Sequence, residues 1–220
     1  MVLLDRLRKN WLRILVHIGA LLPLVWTIWQ YTQGQFLVDP VREITTRTGK
    51  AALILLVLSL ACTPLFTLFG FKQALRVRRA LGLYAFLYAS LHFATFVWLD
   101  YGFDLGLLWQ AIFDQRYVLV GLAAGLLLSA LAITSTRGWK VRLGNNWKRL
   151  HRLVYLAGIL AIVHFAWLGK DLREPLRYAA ILAGLLVLRL PSVRRVVSNA
   201  RYRLKSRLLS AKPHPPQPQP

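Results

Sequence analysis

Apolar residues along this chain fall into long blocks rather than at the three- to four-residue spacing of an amphipathic surface helix. Each block approaches the roughly 20 residues that a helix needs to cross the hydrocarbon core of a membrane. The blocks lie at residues 11–31, 51–71, 80–99, 117–135, 150–168 and 176–191. The pattern therefore predicts an all-α, polytopic membrane protein built as a six-transmembrane-helix bundle.

The first and sixth blocks differ from the others. Basic residues precede the first block, as in a signal peptide, but its apolar run is long and residues 33–36 offer no small-residue cleavage site. We therefore expect a retained helix with a kink at Pro23. Arg177 and Arg189 bracket the short sixth block, which crosses a membrane only if their side chains extend to opposite headgroup layers.

Charge is distributed unevenly between the segments that join the blocks. Of the 29 Lys and Arg, 22 fall in the N-terminal segment, residues 72–79, residues 136–152 and the tail after 188, whereas seven of the eight acids lie in the other loops. The positive-inside rule then predicts that both termini are cytoplasmic. The net charge of +21 thus indicates which side of the membrane each loop occupies. We expect the basic tail to contact anionic membrane lipid, and nucleic-acid binding is the less favoured interpretation.

These patterns divide the chain into three parts. We expect a cytoplasmic N-terminus at residues 1–10, a transmembrane domain at 11–191, and a basic and then proline-rich cytoplasmic tail at 192–220.

Histidines lie within the apolar blocks, where an ionisable side chain is costly and marks a candidate functional site. His92 and His164 lie near the outer ends of the third and fifth blocks, at depths that differ by about 5 Å. On the same helix face, alanines stand three and seven residues before each of them: Ala85, Ala89, Ala157 and Ala161. Imidazole is a usual axial ligand of haem iron, and small residues leave clearance for a flat porphyrin. We therefore predict that His92 and His164 hold one haem.

The alanine stripes also suit direct helix packing, which is the alternative interpretation. Two imidazole ligands would leave the iron six-coordinate, which suits electron transfer rather than oxygen binding. Each neutral ring then needs an acceptor for its second N–H, either a backbone carbonyl or a hydroxyl such as that of Ser90 or Thr95.

A second haem site is less clearly indicated. His151 precedes His164 by about 20 Å of helix, but its partner position on the third block is Arg78, which is a poor ligand and suits a haem propionate instead. His17, in the first block, is a rival partner or a hydrogen-bonding group for a quinone. Thirteen residues rotate a helix by about 220°, so His151 and His164 share a face only if the helix bends, for instance at Gly158.

At these residues the chain also resembles a known family. The run NWKRLHRLVY at 146–155 followed by His164, and RRALG at 78–82 leading to His92, resemble the ferric-reductase-like transmembrane family. The runs HIGALLP at 17–23 and DPVRE at 39–43 are similar, within that family, to the haem-binding membrane subunits of periplasmic protein-methionine-sulfoxide reductase systems. The resemblance covers about residues 10 to 190.

The resemblance implies a b-type haem protein of the bacterial inner membrane, with one or two haem b groups and FMN as a further cofactor. It would pass electrons from the respiratory quinol pool, or from a flavin reductase, to a periplasmic molybdenum enzyme that repairs oxidised methionines in proteins. The resemblance carries haem ligation onto His92, His151 and His164. Arg78 stands where NADPH oxidases and ferric reductases have a fourth histidine. The sequence therefore lacks one of the two histidines that a bis-histidine second haem would need.

A nicotinamide donor is not expected to act directly, because no glycine-rich phosphate loop is present. The loops around residues 32–50, 100–116 and 169–176 are then expected to dock the electron acceptor. Two other functions remain open. One is a self-standing ferric reductase, and the other is a non-enzymatic membrane scaffold in which the histidines only hydrogen-bond between helices.

Overall fold

A computed structural model describes residues 2–169, 171–197 and 199, and no strand occurs in that part of the chain. The predicted all-α class is confirmed. The helices are α1 (Val2–Thr32), α2 (Pro40–Phe69), α3 (Lys72–Ala94), α4 (Leu105–Asp114), α5 (Arg116–Ile133), α6 (Arg137–Leu143), α7 (Asn145–Leu150), α8 (Leu153–Leu168), α9 (Arg173–Val187) and α10 (Pro191–Val197). A π-helical segment, Thr95–Asp100, extends α3.

The apolar helices confirm five of the predicted spans. Segments long and apolar enough to cross a membrane are Asn10–Thr32, Pro40–Phe69, Lys72–Asp100, Arg116–Ile133 and Asn145–Leu168. The sixth span is different, because α9 has only 15 residues and reaches the required length only together with α10, from which it is bent by 75°. The described chain thus has five spans, or six if the bent pair is one. The cytoplasmic location of the termini stays a prediction, and residues 200–220 of the tail lie outside the described residues.

Helix α2 begins well before its apolar block. The Asp39 side chain accepts a hydrogen bond from the backbone N–H of Arg42, and Pro40 occupies the first helical position, so the helix is capped at this point. It ends at Gly70, whose φ of 70° closes the last turn in the left-handed conformation. The polar first turns of α2 bring Thr45 and Gly49 into the bundle.

The bundle is built mainly from two helix pairs, α2 with α3 and α5 with α8. Ala85 on α3 and Ala157 on α8 have no exposed surface and belong to one core cluster. Both predicted alanine stripes therefore face the core.

Helix α1 joins the core through Tyr88 of α3. The Tyr88 hydroxyl accepts a hydrogen bond from the backbone N–H of Leu24 at 3.0 Å and donates one to the carbonyl of Ala20 at 2.7 Å. Those two groups would normally bond each other within α1. The Tyr88 hydroxyl thus lies between two groups of the helical ladder beside Pro23, and the kink expected at Pro23 stays a prediction.

Arg189, just after α9, does not extend toward a headgroup layer as the sequence suggested. Its guanidinium donates hydrogen bonds to the Tyr155 hydroxyl at 2.6 Å and to the Leu60 carbonyl at 2.5 Å. Leu60 stands four residues before Pro64, which has no N–H, so its carbonyl lacks its usual partner in α2. Arg189 thereby fastens the end of α9 to a backbone acceptor that Pro64 leaves open.

Candidate functional site

The two outer histidines meet between the two main helix pairs. The ring centres of His92 on α3 and His164 on α8 lie 5.9 Å apart, and the ring planes are inclined by 84°. The predicted pairing in space is thus present. His151 lies at the other end of the bundle, beside Thr134 at the end of α5.

Each of these two rings is held by a backbone carbonyl from the neighbouring helix. Nδ1 of His92 lies 2.8 Å from the carbonyl oxygen of Thr45, and Nδ1 of His164 lies 2.7 Å from that of Tyr117. A carbonyl only accepts, so both histidines carry their proton on Nδ1. The Nε2 lone pair is left available for a metal in both rings. The predicted hydroxyl acceptor is not used, since Thr95 instead donates to the carbonyl of His92 itself.

A glycine one turn after each carbonyl makes room for each ring. A Cβ atom added to Gly49 would lie 3.0 Å from Nδ1 and 3.1 Å from Cε1 of His92. One added to Gly121 would lie 2.6 Å and 2.8 Å from the same atoms of His164. Separations below 3 Å are not tolerated by real Cβ atoms, so Gly121 is required by the present position of its histidine. Each ring thus occupies the space of an absent side chain.

The two halves of the site are copies of one arrangement, displaced by 72 residues along the sequence. Each donor-acceptor pair spans 47 residues, and the sequence of one half matches the other without a gap at several positions. The matching pairs are Gly49 with Gly121, Ala51 with Ala123, Ala52 with Ala124, Leu55 with Leu127, Leu56 with Leu128, Leu81 with Leu153, Ala85 with Ala157, Ala89 with Ala161, His92 with His164, Phe93 with Phe165 and Ala94 with Ala166. Sequence reasoning missed Thr45, Tyr117 and both glycines, although this repeat was the signal for them.

The donor set fits a haem better than a bare metal ion. No group of three or more His, Cys, Asp or Glu side chains that could hold a metal occurs among the described residues. Two imidazole nitrogens can hold an iron only if four further ligands come from a porphyrin. A metal bonded to both Nε2 atoms at about 2 Å each would place the ring centres roughly 6 Å apart, close to the observed separation.

A cation lies beside this pair. The Lys50 ammonium forms an ion pair with Glu174 at 2.7 Å and lies 6.0 Å from the ring centre of Phe165. Lys50 follows Gly49, and Phe165 follows His164, so the cation adjoins both halves of the site. Lys50 is therefore a candidate partner for a carboxylate of a bound porphyrin.

His151 is held in a different way from the outer pair. Its ring stacks on Trp147 at 4.0 Å, and its Nε2 lies 3.2 Å from the Thr134 hydroxyl. That hydroxyl donates its proton to the Ala130 carbonyl at 2.7 Å, so it accepts from His151 and places the histidine proton on Nε2. The free lone pair of His151 is consequently on Nδ1, opposite to His92 and His164.

Arg78 lies within electrostatic range of the His151 ring, but neither of the other candidates for an inner site bonds that ring. Arg78 donates to the Thr63 hydroxyl at 3.2 Å, and Nδ1 of His17 lies 2.9 Å from the Tyr84 hydroxyl. No hydrogen bond or ring contact joins Arg78 or His17 to His151 within the described residues. The helix is interrupted at residues 151–152, between α7 and α8, whereas Gly158 lies within continuous α8.

The comparison with protein families agrees with this architecture. Residues 48–162, more than half of the chain, match the model of the ferric reductase like transmembrane component. The chain belongs to this family of membrane proteins. The matched range contains His92 and His151 and stops two residues before His164.

The chain is also similar to individual proteins of one kind. The chain is 49% identical over 181 residues, 79% of its own length and 83% of the relative's, to a protein of Xanthomonas axonopodis pv. citri named protein-methionine-sulfoxide reductase heme-binding subunit MsrQ. Proteins with the same name from Xanthomonas euvesicatoria pv. vesicatoria and Rhodospirillum rubrum are 50% and 46% identical, the latter over 88% of this chain and 94% of the relative. No solved structure matches the chain.

Proposed function

We propose that this protein is a b-type haem electron-transfer subunit of the bacterial inner membrane. The observation that carries the proposal is the pair of imidazoles whose Nδ1 atoms both bond carbonyls, which leaves both Nε2 atoms available, and whose ring centres lie 5.9 Å apart. The names of the relatives, which are haem-binding subunits, support the same cofactor. A haem held here would supply one-electron chemistry.

The roles of the residues follow from the geometry. His92 and His164 would hold the haem iron through Nε2, and the carbonyls of Thr45 and Tyr117 fix the orientation and tautomer of both rings. With both imidazoles bound to it, a haem would supply one-electron transfer rather than oxygen binding. His151, with its proton on Nε2 and its ring on Trp147, does not offer the same ligand atom. We therefore propose one haem at the outer pair, and a second at His151 only if its hydrogen bond to Thr134 is exchanged for an iron bond.

The electron acceptor in this proposal is a periplasmic molybdenum-containing protein-methionine-sulfoxide reductase. The end of the bundle that carries His92 and His164 also carries the loops expected to dock it. Helix α4, in one of these loops, exposes large apolar side chains at Leu105, Leu107, Trp109 and Phe113. These residues offer contact area near the haem pair, and both termini would then be cytoplasmic.

The donor in this proposal is a membrane quinol or a flavin reductase, and FMN is a further cofactor.

Reoxidation kinetics test the proposed acceptor against the alternative of a self-standing ferric reductase. The purified protein is reduced with dithionite, freed of excess reductant, and mixed with the molybdenum enzyme and an oxidised protein substrate, or with chelated ferric iron. We expect rapid reoxidation with the enzyme and slow reoxidation with iron. The reverse order would support a ferric reductase, and the absence of any reducible chromophore would leave only a membrane scaffold.

A further inference from the structure

A cavity of about 160 Å³ lies between α1 and α3, away from the two outer histidines. Its lining residues are Arg13, Val16, His17, Arg76, Val77 and Ala80. Three of the six side chains are hydrogen-bond donors or cations, and none is acidic. The cavity is therefore built for a ligand that is anionic or rich in acceptor oxygens.

The two guanidinium groups in this cavity are unpartnered. No hydrogen bond, ion pair or ring contact occupies Arg13 or Arg76 among the described residues, whereas Arg47 pairs with Glu43 and Arg189 bonds Tyr155. Two like charges on adjacent helices repel each other unless an anion lies between them. Within the described residues, the fold thus brings together two cations without an acidic partner for either.

The cavity lies near the same end of two apolar spans. Helices α1 and α3 run parallel, because His17 meets Tyr84 and the next turns of both helices meet at Ala20 and Tyr88. Arg13 and Arg76 follow the first residues of the spans Asn10–Thr32 and Lys72–Asp100 by three and four positions. His17 lies one helical turn further into its span.

The outward face of α1 beside the cavity is apolar and open. Ile14, Leu15, Ile18 and Leu22 have exposed side chains along it. Acyl chains can pack on this face while the phosphate contacts the arginines. One phospholipid molecule can therefore occupy both the cavity and the apolar face of α1.

We propose that the cavity binds the phosphate of an anionic phospholipid, with Arg13 and Arg76 on the phosphate oxygens and His17 toward the ester groups. The lipid acts as a bridge that holds α1 against α3. This proposal does not depend on haem binding, since none of the lining residues contacts His92 or His164 through a hydrogen bond or a ring contact within the described residues.

The test measures phospholipid retained by the full-length holoprotein. The protein in detergent is titrated with phosphatidylglycerol or phosphatidylcholine, and bound lipid is counted by native mass spectrometry. The variants are Arg13→Gln, Arg76→Gln and the two together. Arg79→Gln is the control for each single variant, because it removes one positive charge from an exposed position of α3 outside the cavity. An unchanged haem spectrum verifies that each variant is folded.

We expect the double variant to bind phosphatidylglycerol about a hundredfold more weakly, because it loses two charge-assisted hydrogen bonds that each contribute roughly a decade in affinity. The control should bind it as the wild type does. Equal binding by the wild type and the double variant, or equal loss in the Arg79→Gln control, would overturn the proposal.

Two competitors identify the source of the recognised group. Inorganic phosphate that displaces the lipid from the wild type, at a concentration comparable with that of the lipid, would support phosphate recognition and assign the site to a soluble ligand. A short-chain ubiquinone analogue whose binding needs His17 but neither arginine would overturn the phosphate assignment in favour of a quinone.

Discussion

His92 and His164 lie on different helices, 72 residues apart, yet each donates its Nδ1 proton to a backbone carbonyl of the neighbouring helix 47 residues earlier. The acceptors are Thr45 and Tyr117, and a glycine follows each one by a single turn. Such a repeat gives both imidazoles the same tautomer and directs the same nitrogen away from the supporting helix. A bis-histidine iron site can therefore be built from two copies of one arrangement, in which a carbonyl acceptor is followed one turn later by a glycine.

The glycines provide the sharpest test of this arrangement. Replacing Gly121 with Ala should displace His164 and lower haem retention strongly, because the added Cβ would meet Nδ1 at 2.6 Å. Gly49→Ala, with its contact at 3.0 Å, should have a smaller effect. Overpacking of this kind costs about 1–3 kcal/mol. Haem content and the electron paramagnetic resonance spectrum of the oxidised protein measure both effects.

Gly125→Ala is the matched control for these substitutions. It lies one turn beyond Gly121 on α5, and a Cβ there meets nothing within 4 Å. We expect it to keep haem and spectrum unchanged. Equal losses in the Gly125 and Gly121 variants would show that helix α5 tolerates no substitution, and that the ring contact is irrelevant.

Arg189 and Pro64 should be energetically coupled. Arg189→Met removes the donor to the Leu60 carbonyl and should destabilise the protein by about 1–3 kcal/mol, since a buried acceptor is left unsatisfied. Pro64→Ala restores a backbone N–H to the same carbonyl. In that background Arg189→Met should cost clearly less. Thermal unfolding of the four proteins in one detergent gives the coupling, and strictly additive effects would refute the shared acceptor.

Tyr88→Phe should loosen α1 from the bundle. The substitution keeps the ring and removes the hydroxyl that links the Leu24 N–H to the Ala20 carbonyl. We expect faster hydrogen exchange at residues 20–24, measured by mass spectrometry, with exchange in α5 unchanged. Unaltered protection at residues 20–24 would mean that α1 closes its own hydrogen bond without the tyrosine.

His151 should be dispensable for the outer haem. His151→Ala removes the contacts with Trp147 and Thr134 but leaves His92, His164 and their carbonyl acceptors in place. The variant should therefore keep the haem content of the wild type. A loss of half the haem would instead establish a second haem with His151 as its ligand.

The sequence predicted the parts of this molecule that depend on residue type. Apolar block length predicted the helices, and the alanine stripes predicted which helix faces carry His92 and His164. The supporting carbonyls of Thr45 and Tyr117 could not be found in this way, because every residue has a carbonyl and only packing selects one. Gly49 and Gly121 were detectable through the repeat. The tautomer of His151 depends on Thr134, 17 residues away, and on the break in the helix at residues 151–152.

The sixth span also could not be predicted from residue type alone. A run of apolar residues between Arg177 and Arg189 predicted a crossing helix, but α9 ends at Val187 and the chain turns by 75° into α10. Arg189 bonds the Leu60 carbonyl because Pro64 cannot donate to it. Composition does not reveal this unsatisfied acceptor on another helix.

Haem stoichiometry tests the central claim most directly. The full chain is produced with ample haem supply and purified in detergent beside His92→Ala and His164→Ala, and haem b per chain is measured from reduced-minus-oxidised spectra. The account predicts one haem b per chain in the wild type and none in either variant. A wild type without haem, or a full haem complement in either variant, would contradict it.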